Sequence, residues 1–101
     1  MPIKAELPGA DLIAEGLVDL HANRCTVNAL LVAIGAPRLR NLNLNLPAAS
    51  QLPERPEHQL YDLLASQEAQ NAHASYNALI RRLVSYERAR ELALERVNRG
   101  V

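Results

Sequence analysis

The chain contains 101 residues, of which 49% are hydrophobic and 22% are charged, a composition typical of a single globular domain rather than of a disordered chain. Its eleven basic and eleven acidic residues cancel. A domain that neutralises many phosphates carries a positive excess, so general nucleic-acid binding is disfavoured. Three tyrosines are the only aromatic residues, and a core of leucine, alanine, isoleucine and valine favours an all-α fold.

Three features predict a cytoplasmic protein without a membrane segment. The single cysteine, Cys25, has no partner for an internal disulfide, and we expect it to be a small buried thiol in a reducing compartment. Residues Met1–Gly9 lack the apolar stretch of a secretory signal. The longest apolar run, Ala29–Ile34, is far shorter than the roughly 20 residues of a membrane-spanning helix.

The first part of the chain predicts two amphipathic helices after a flexible lead-in at residues 1–9. Apolar residues at helical spacing predict a first helix over Ala10–His21. Thr26 is suited to cap a second helix that continues to Ile34. Proline cannot continue the helical hydrogen-bond ladder, so this helix should stop before Pro37, which can itself open a short helical turn.

Residues 41–55 form the least regular segment. Asparagine and leucine alternate from Asn41 to Leu46 with the period of a strand, but both are poor strand formers and no second strand candidate exists to pair with them. Prolines follow closely. We therefore predict an extended surface connector whose leucines face the helices. A loop of this length in so small a domain is typically functional or mobile.

Two further helices are predicted in the second half. Pro56 suits the first turn of a third helix, which should run to about Ser66. A fourth should extend from about Glu68 to Asn98, where neither proline nor glycine occurs; at about 45 Å it would bend or project beyond a compact domain. The predicted fold is one all-α domain over residues 1–101, a small four-helix arrangement with the connector in its middle and a long C-terminal helix.

The residue types that usually carry catalysis or bind metals form no recognisable motif. His21 and Cys25 are four residues apart, as are His58 and Asp62, but the first pair straddles a predicted helix end. The second pair would form a metal or catalytic site only if His73 approached it, and this is one alternative hypothesis. The four glycines are isolated, so no phosphate-binding loop is expected. We predict no enzyme activity, no catalytic residues, no metal site and no cofactor.

Arginines and connector leucines are the candidate partner-binding residues. Two arginines flank the connector and two lie on the long helix, and together they could form a patch for an acidic protein surface. The alternative is a solvated face balanced by neighbouring glutamates. The leucines could contact a partner or pack on the chain's own helices. The predicted site comprises Arg38, Arg40, Leu42, Leu44, Leu46, Arg81 and Arg82, and the long helix is a candidate homodimer contact.

A small DNA-binding transcriptional regulator is the alternative function. Thr26–Leu42 can be arranged as a helix-turn-helix with Gly35 in the turn. The segment after Pro37 is short and leucine-rich for a recognition helix, and the zero net charge opposes this interpretation.

Two stretches carry a family resemblance: Ala-Leu-Leu-Val-Ala-Ile-Gly-Ala-Pro-Arg-Leu-Arg at residues 29–40 and Ser-Tyr-Asn-Ala-Leu-Ile-Arg-Arg-Leu-Val-Ser-Tyr-Glu-Arg-Ala at residues 75–89. They resemble small helical proteins of high-GC bacteria that accompany nucleotidyltransferase-like toxins as antitoxins. The resemblance implies a non-enzymatic protein that binds and neutralises a toxin enzyme. It transfers no inhibitory residue to this chain.

Overall fold

All regular structure in the described part of the chain is helical. The computed structural model describes the backbone of residues 7–99 and the side chains of residues 7–97. Its elements are α1 (Ala10–His21), α2 (Val27–Ile34), α3 (Ala36–Asn41), a 3-10 turn (Ala49–Gln51), α4 (Pro56–Gln67) and α5 (Ala72–Arg99). The predicted all-α class and the long C-terminal helix are confirmed. Most of the predicted lead-in lies outside the described residues.

The turn between α1 and α2 is held by a side-chain network. Thr26 caps α2 as predicted, its Oγ1 accepting from the Ala29 N–H at 3.2 Å. The same hydroxyl donates to Asp19 Oδ2 at 2.6 Å, and Arg24 Nη2 contacts Asp19 Oδ1 at 3.0 Å. The Thr26 hydrogen bond holds the pKa of Asp19 below its ordinary value, and Arg24 adds to this effect. Both bounds of α1 and of α2 agree with the prediction.

The short helical turn expected at Pro37 is a helix of its own, α3, so the described residues contain five α-helices rather than four. Its end explains the alternating asparagines. Asn43 has φ 71°, and its N–H donates to Arg40 O while the Leu44 N–H donates to Leu39 O. This is a Schellman motif, in which asparagine tolerates the left-handed conformation better than most residues do. The alternation therefore marks a helix end and not a strand.

The long helix begins four residues later than predicted. The Glu68 N–H still donates to Leu64 O at the end of α4, and the Asn71 N–H donates to Glu68 O at 2.8 Å. These bonds form a turn, and α5 starts at Ala72. Residues 68–71 thus form a turn between α4 and α5, and the two helices pack against each other.

Helix α2 lies at the centre of the fold, with α1, α4 and α5 packed around it. Residues 29–33 of this helix are all buried, and α1 approaches it at Gly16. The core cluster comprises Ile13, Leu20, Ala29, Leu30, Leu31, Val32, Ala33, Leu39, Leu60, Leu64, Ala72, Leu83 and Tyr86. The core thus reaches along α5 as far as Tyr86.

The long helix determines the shape of the molecule. A helix of 28 residues is about 42 Å long, and the described chain measures 48 × 29 × 23 Å. Its radius of gyration is 14.3 Å, slightly above the value of about 13 Å expected for 100 residues. None of the described helices combines the length and apolarity that a membrane crossing requires.

Candidate partner-binding site

The four predicted arginines do not form one patch on the structure. Arg38 Nη2 donates to Glu91 Oε1 at 2.7 Å, and Arg82 Nη2 lies 3.8 Å from Asp11 Oδ1. Positions 82 and 91 are nine residues apart on α5, which places them on opposite faces and about 13 Å apart along the axis. Arg38 and Arg82 therefore cannot belong to one compact patch.

Arg40 is engaged within the chain as well. Its Nη2 donates to the carbonyl oxygen of Pro47, which fastens the connector to the end of α3. Two further hydrogen bonds hold the connector. Arg90 Nε donates to Leu42 O at 2.8 Å, and His21 Nε2 lies 2.9 Å from Asn45 O. The connector is therefore tied to α1, α3 and α5.

The three connector leucines pack on the chain itself. Leu42 is only 8% exposed, and Leu44 and Leu46 are half-buried against the core cluster. This arrangement matches the self-packing alternative considered for these residues. In this conformation little of their apolar surface is available to a partner.

A basic groove lies where the start of α1 meets α5. It is lined by Pro8, Gly9, Ala78, Arg81, Arg82 and Ser85 and has a volume of about 440 Å³. Two of the four predicted arginines, Arg81 and Arg82, therefore line the same groove as Ser85. Sequence reasoning identified the arginines but missed the wall formed by the turn before α1, because that contact joins residues more than seventy positions apart.

A second surface is the last part of α5, which we call the α5 tail and define as residues 89–97. Leu92 is 56% exposed and Val97 is 65% exposed. Ala89 and Ala93 lie between them on the helix surface and are half-buried. None of these side chains belongs to the core cluster or to the apolar residues packed against it. The α5 tail thus presents an apolar band that its own fold leaves uncovered.

A third surface is an open groove of about 520 Å³ between the first turns of α4 and α5. Tyr61 stands edge-on to His73 with ring centroids 6.4 Å apart, and it lies 5.7 Å from the Tyr76 ring. Burial, with a smaller effect of Glu57, raises the pKa of the Tyr76 phenol. His58 also lines this groove.

The alternative metal site of His58, Asp62 and His73 is only partly assembled. His58 Nε2 lies 3.5 Å from Asp62 Oδ2, and His73 lines the same groove as His58. His73 Nε2 instead lies 3.2 Å from Asn77 Nδ2. Within residues 7–97, no group of three or more histidine, cysteine, aspartate or glutamate side chains is arranged to hold a metal ion.

Two side chains lie in unexpected environments. Cys25, expected to be buried, is exposed on the turn between α1 and α2. Glu87 was not singled out by the sequence, yet it is only 6% exposed on the inner face of α5 near Gly35. Burial raises its pKa, and the charge of Arg38 partly offsets this rise. Its place on the helical face of Leu83 was the signal that could have revealed its burial.

The helix-turn-helix alternative gains no support from the described residues. Helix α3, which would be the recognition helix, has six residues, and Arg38 and Arg40 both have partners within the chain. DNA binding stays an untested prediction.

Comparisons of this chain with protein-family models, with curated proteins and with solved structures find no match. Assignment of the candidate surfaces therefore rests on their own geometry and chemistry.

Proposed function

We propose that this protein is a non-catalytic helical interaction module that binds a partner protein through the α5 tail. The observation that carries the proposal is the exposure of Leu92 and Val97 on a helix that continues beyond the core. Leu92 and Val97 lie about 140° apart around the helix, and Ala89 and Ala93 connect them into one exposed apolar strip, which favours an interaction surface over a solvated one.

The band on the α5 tail has the chemistry of a helix–helix contact. Ala89, Ala93 and Val97 follow one another at four-residue spacing, and Leu92 adjoins them three residues after Ala89. The alanines allow a partner backbone to approach, while Leu92 and Val97 supply apolar area. Arg88, Glu91 and Glu95 border the band on the side of Leu92, Arg90 borders it on the other side, and Arg96 lies between Leu92 and Val97. An amphipathic helix of the partner, apolar on one face and charged at both edges, fits this surface best.

The resemblance of residues 29–40 and 75–89 to antitoxins supplies the class of partner. It implies a toxin enzyme that is neutralised by binding rather than by chemistry. We include this identity in the proposal, and a toxin encoded beside this chain is the expected partner.

The proposal is tested by tagged purification from the native host with matched variants. The wild-type chain should retain a stoichiometric partner, which mass spectrometry identifies. The double variant Leu92→Ser/Val97→Ser should lose that partner, because two polar side chains replace the exposed apolar ones. Its helix content by circular dichroism should equal that of the wild type, since both side chains are largely exposed.

Val18→Ser is the matched control. Val18 is 60% exposed on α1 and is therefore as accessible as the residues of the α5 tail. This variant should retain the partner. Retention by the double variant, or equal loss from the Val18 variant, would contradict the assignment of the α5 tail.

A further inference from the structure

The basic groove contains cationic groups that are only weakly neutralised by the fold. Arg82 approaches Asp11 at 3.8 Å, the outer limit of an ion pair, and its side chain is 52% exposed. Arg81 forms no ion pair or hydrogen bond with any of the described residues. Two adjacent arginines with spare donors line a concave surface and not a flat helix face.

The opposite wall of the groove is fixed by close backbone contact. Gly9 has φ 78°, and a Cβ built there would lie 3.1 Å from the carbonyl oxygen of Arg82. The turn before α1 therefore rests directly on α5, and a larger side chain at this position would separate the two.

We propose that the basic groove binds a carboxylate-bearing acidic segment of the partner protein. The Arg81 guanidinium offers the planar pair of N–H donors that suits a carboxylate, and the Ser85 hydroxyl adds a third donor. This inference rests on the proposed function and names the chemistry of a second contact, separate from the α5 tail.

The lining of the groove favours an acidic peptide over free phosphate. Pro8 and Ala78 give the groove an apolar wall, which contacts the methylene groups of glutamate but not an inorganic anion.

Fluorescence anisotropy of a labelled hexaglutamate peptide, measured on the full chain at low salt, tests the proposal. Arg81→Gln should weaken binding about tenfold, and Asp11→Asn should strengthen it by removing a competing carboxylate. Arg96→Gln removes one positive charge from the same helix about 22 Å away and should leave the affinity unchanged. A hexaglutamine peptide should not bind.

Absence of hexaglutamate binding would overturn the proposal that the basic groove binds an acidic segment. Equal weakening of binding by Arg81→Gln and Arg96→Gln would overturn it as well. Displacement of the peptide by inorganic phosphate at similar concentration would show a general oxyanion site and would also overturn the proposed ligand. The Leu92→Ser/Val97→Ser variant should bind the peptide normally. The experiments therefore distinguish a failure of the proposal for the α5 tail from a failure of the proposal for the basic groove.

Discussion

At the scale of single residues, Gly16 sets the distance between α1 and α2. A Cβ at this position would overlap the carbonyl oxygen of Asn28 and the side chain of Val32. Glycine is unfavourable inside a helix by roughly 0.5–1 kcal/mol relative to alanine. Glycine is nevertheless required at position 16, because the backbone of α2 lies where a side chain would be.

Gly16→Ala should therefore destabilise the protein even though alanine is the better helix former. Forcing the two helices apart should cost about 1–3 kcal/mol, which exceeds the gain in helix propensity. Urea unfolding followed by circular dichroism measures the difference. Ala14→Gly, on the exposed side of the same helix, isolates the propensity effect and should cost no more than about 1 kcal/mol. An increase in stability for Gly16→Ala would show that α1 and α2 can separate freely.

Glu87 is the second residue with a consequence for stability. Its pKa is raised above the ordinary value of 4.5 by burial, while Arg38 acts in the opposite direction. A carboxyl with a raised pKa in the folded state binds its proton more tightly there than in the unfolded state. The contribution of Glu87 to the free energy of unfolding should therefore fall as the pH rises from about 4.5 through the raised pKa.

Glu87→Gln should remove this part of the pH dependence. The variant should gain stability relative to the wild type as the pH rises from 4.5 towards neutrality, because only the wild type must ionise a buried group. Arg38→Gln should act oppositely and steepen the decline. Urea unfolding at several pH values gives both comparisons. A constant difference between wild type and Glu87→Gln across this range would contradict the assignment.

At the scale of elements, the sequence was most informative where one residue type has one local role. Thr26 as a cap, Pro56 in a first turn and the spacing of apolar residues placed α1, α2 and α4 closely. The alternating Asn41–Leu46 segment was less informative, since asparagine suits both a loop and the left-handed end of a helix. Only the hydrogen bonds around Asn43 distinguish the two.

The packing of the connector predicts the effect of Leu42→Ala. Leu42 is buried and its carbonyl oxygen accepts from Arg90, so truncation should leave a cavity beside α3. The expected loss is about 2–5 kcal/mol of unfolding free energy, as for other buried leucines. Leu92→Ala is the matched control and should change stability by less than about 0.5 kcal/mol. Equal and small effects of both substitutions would mean that the connector is not part of the folded body.

At the scale of the whole molecule, the net charge is zero, but the basic residues lie in different electrostatic environments. Arg38 is paired with Glu91 near the end of α5, whereas Arg81 and Arg82 line the basic groove at the start of α1. Sequence positions 38, 40, 81 and 82 could not reveal this division, because it depends on which face of α5 meets each helix. The exposure of the apolar band on the α5 tail could not be predicted from the sequence either. A helical face with few apolar residues has the same sequence pattern whether it is packed against another element or exposed to solvent.

The most direct test of the interaction module is photo-cross-linking in the native host, with benzoylphenylalanine placed at position 92 or at position 18. Both sites are exposed and apolar, but only position 92 belongs to the α5 tail. We predict one dominant cross-linked protein from position 92, different from this chain, and none from position 18. Equal cross-linking from both positions, or no adduct at position 92, would contradict the proposal that the α5 tail binds a partner protein. Cross-linking of position 92 to a second copy of this chain would contradict it as well.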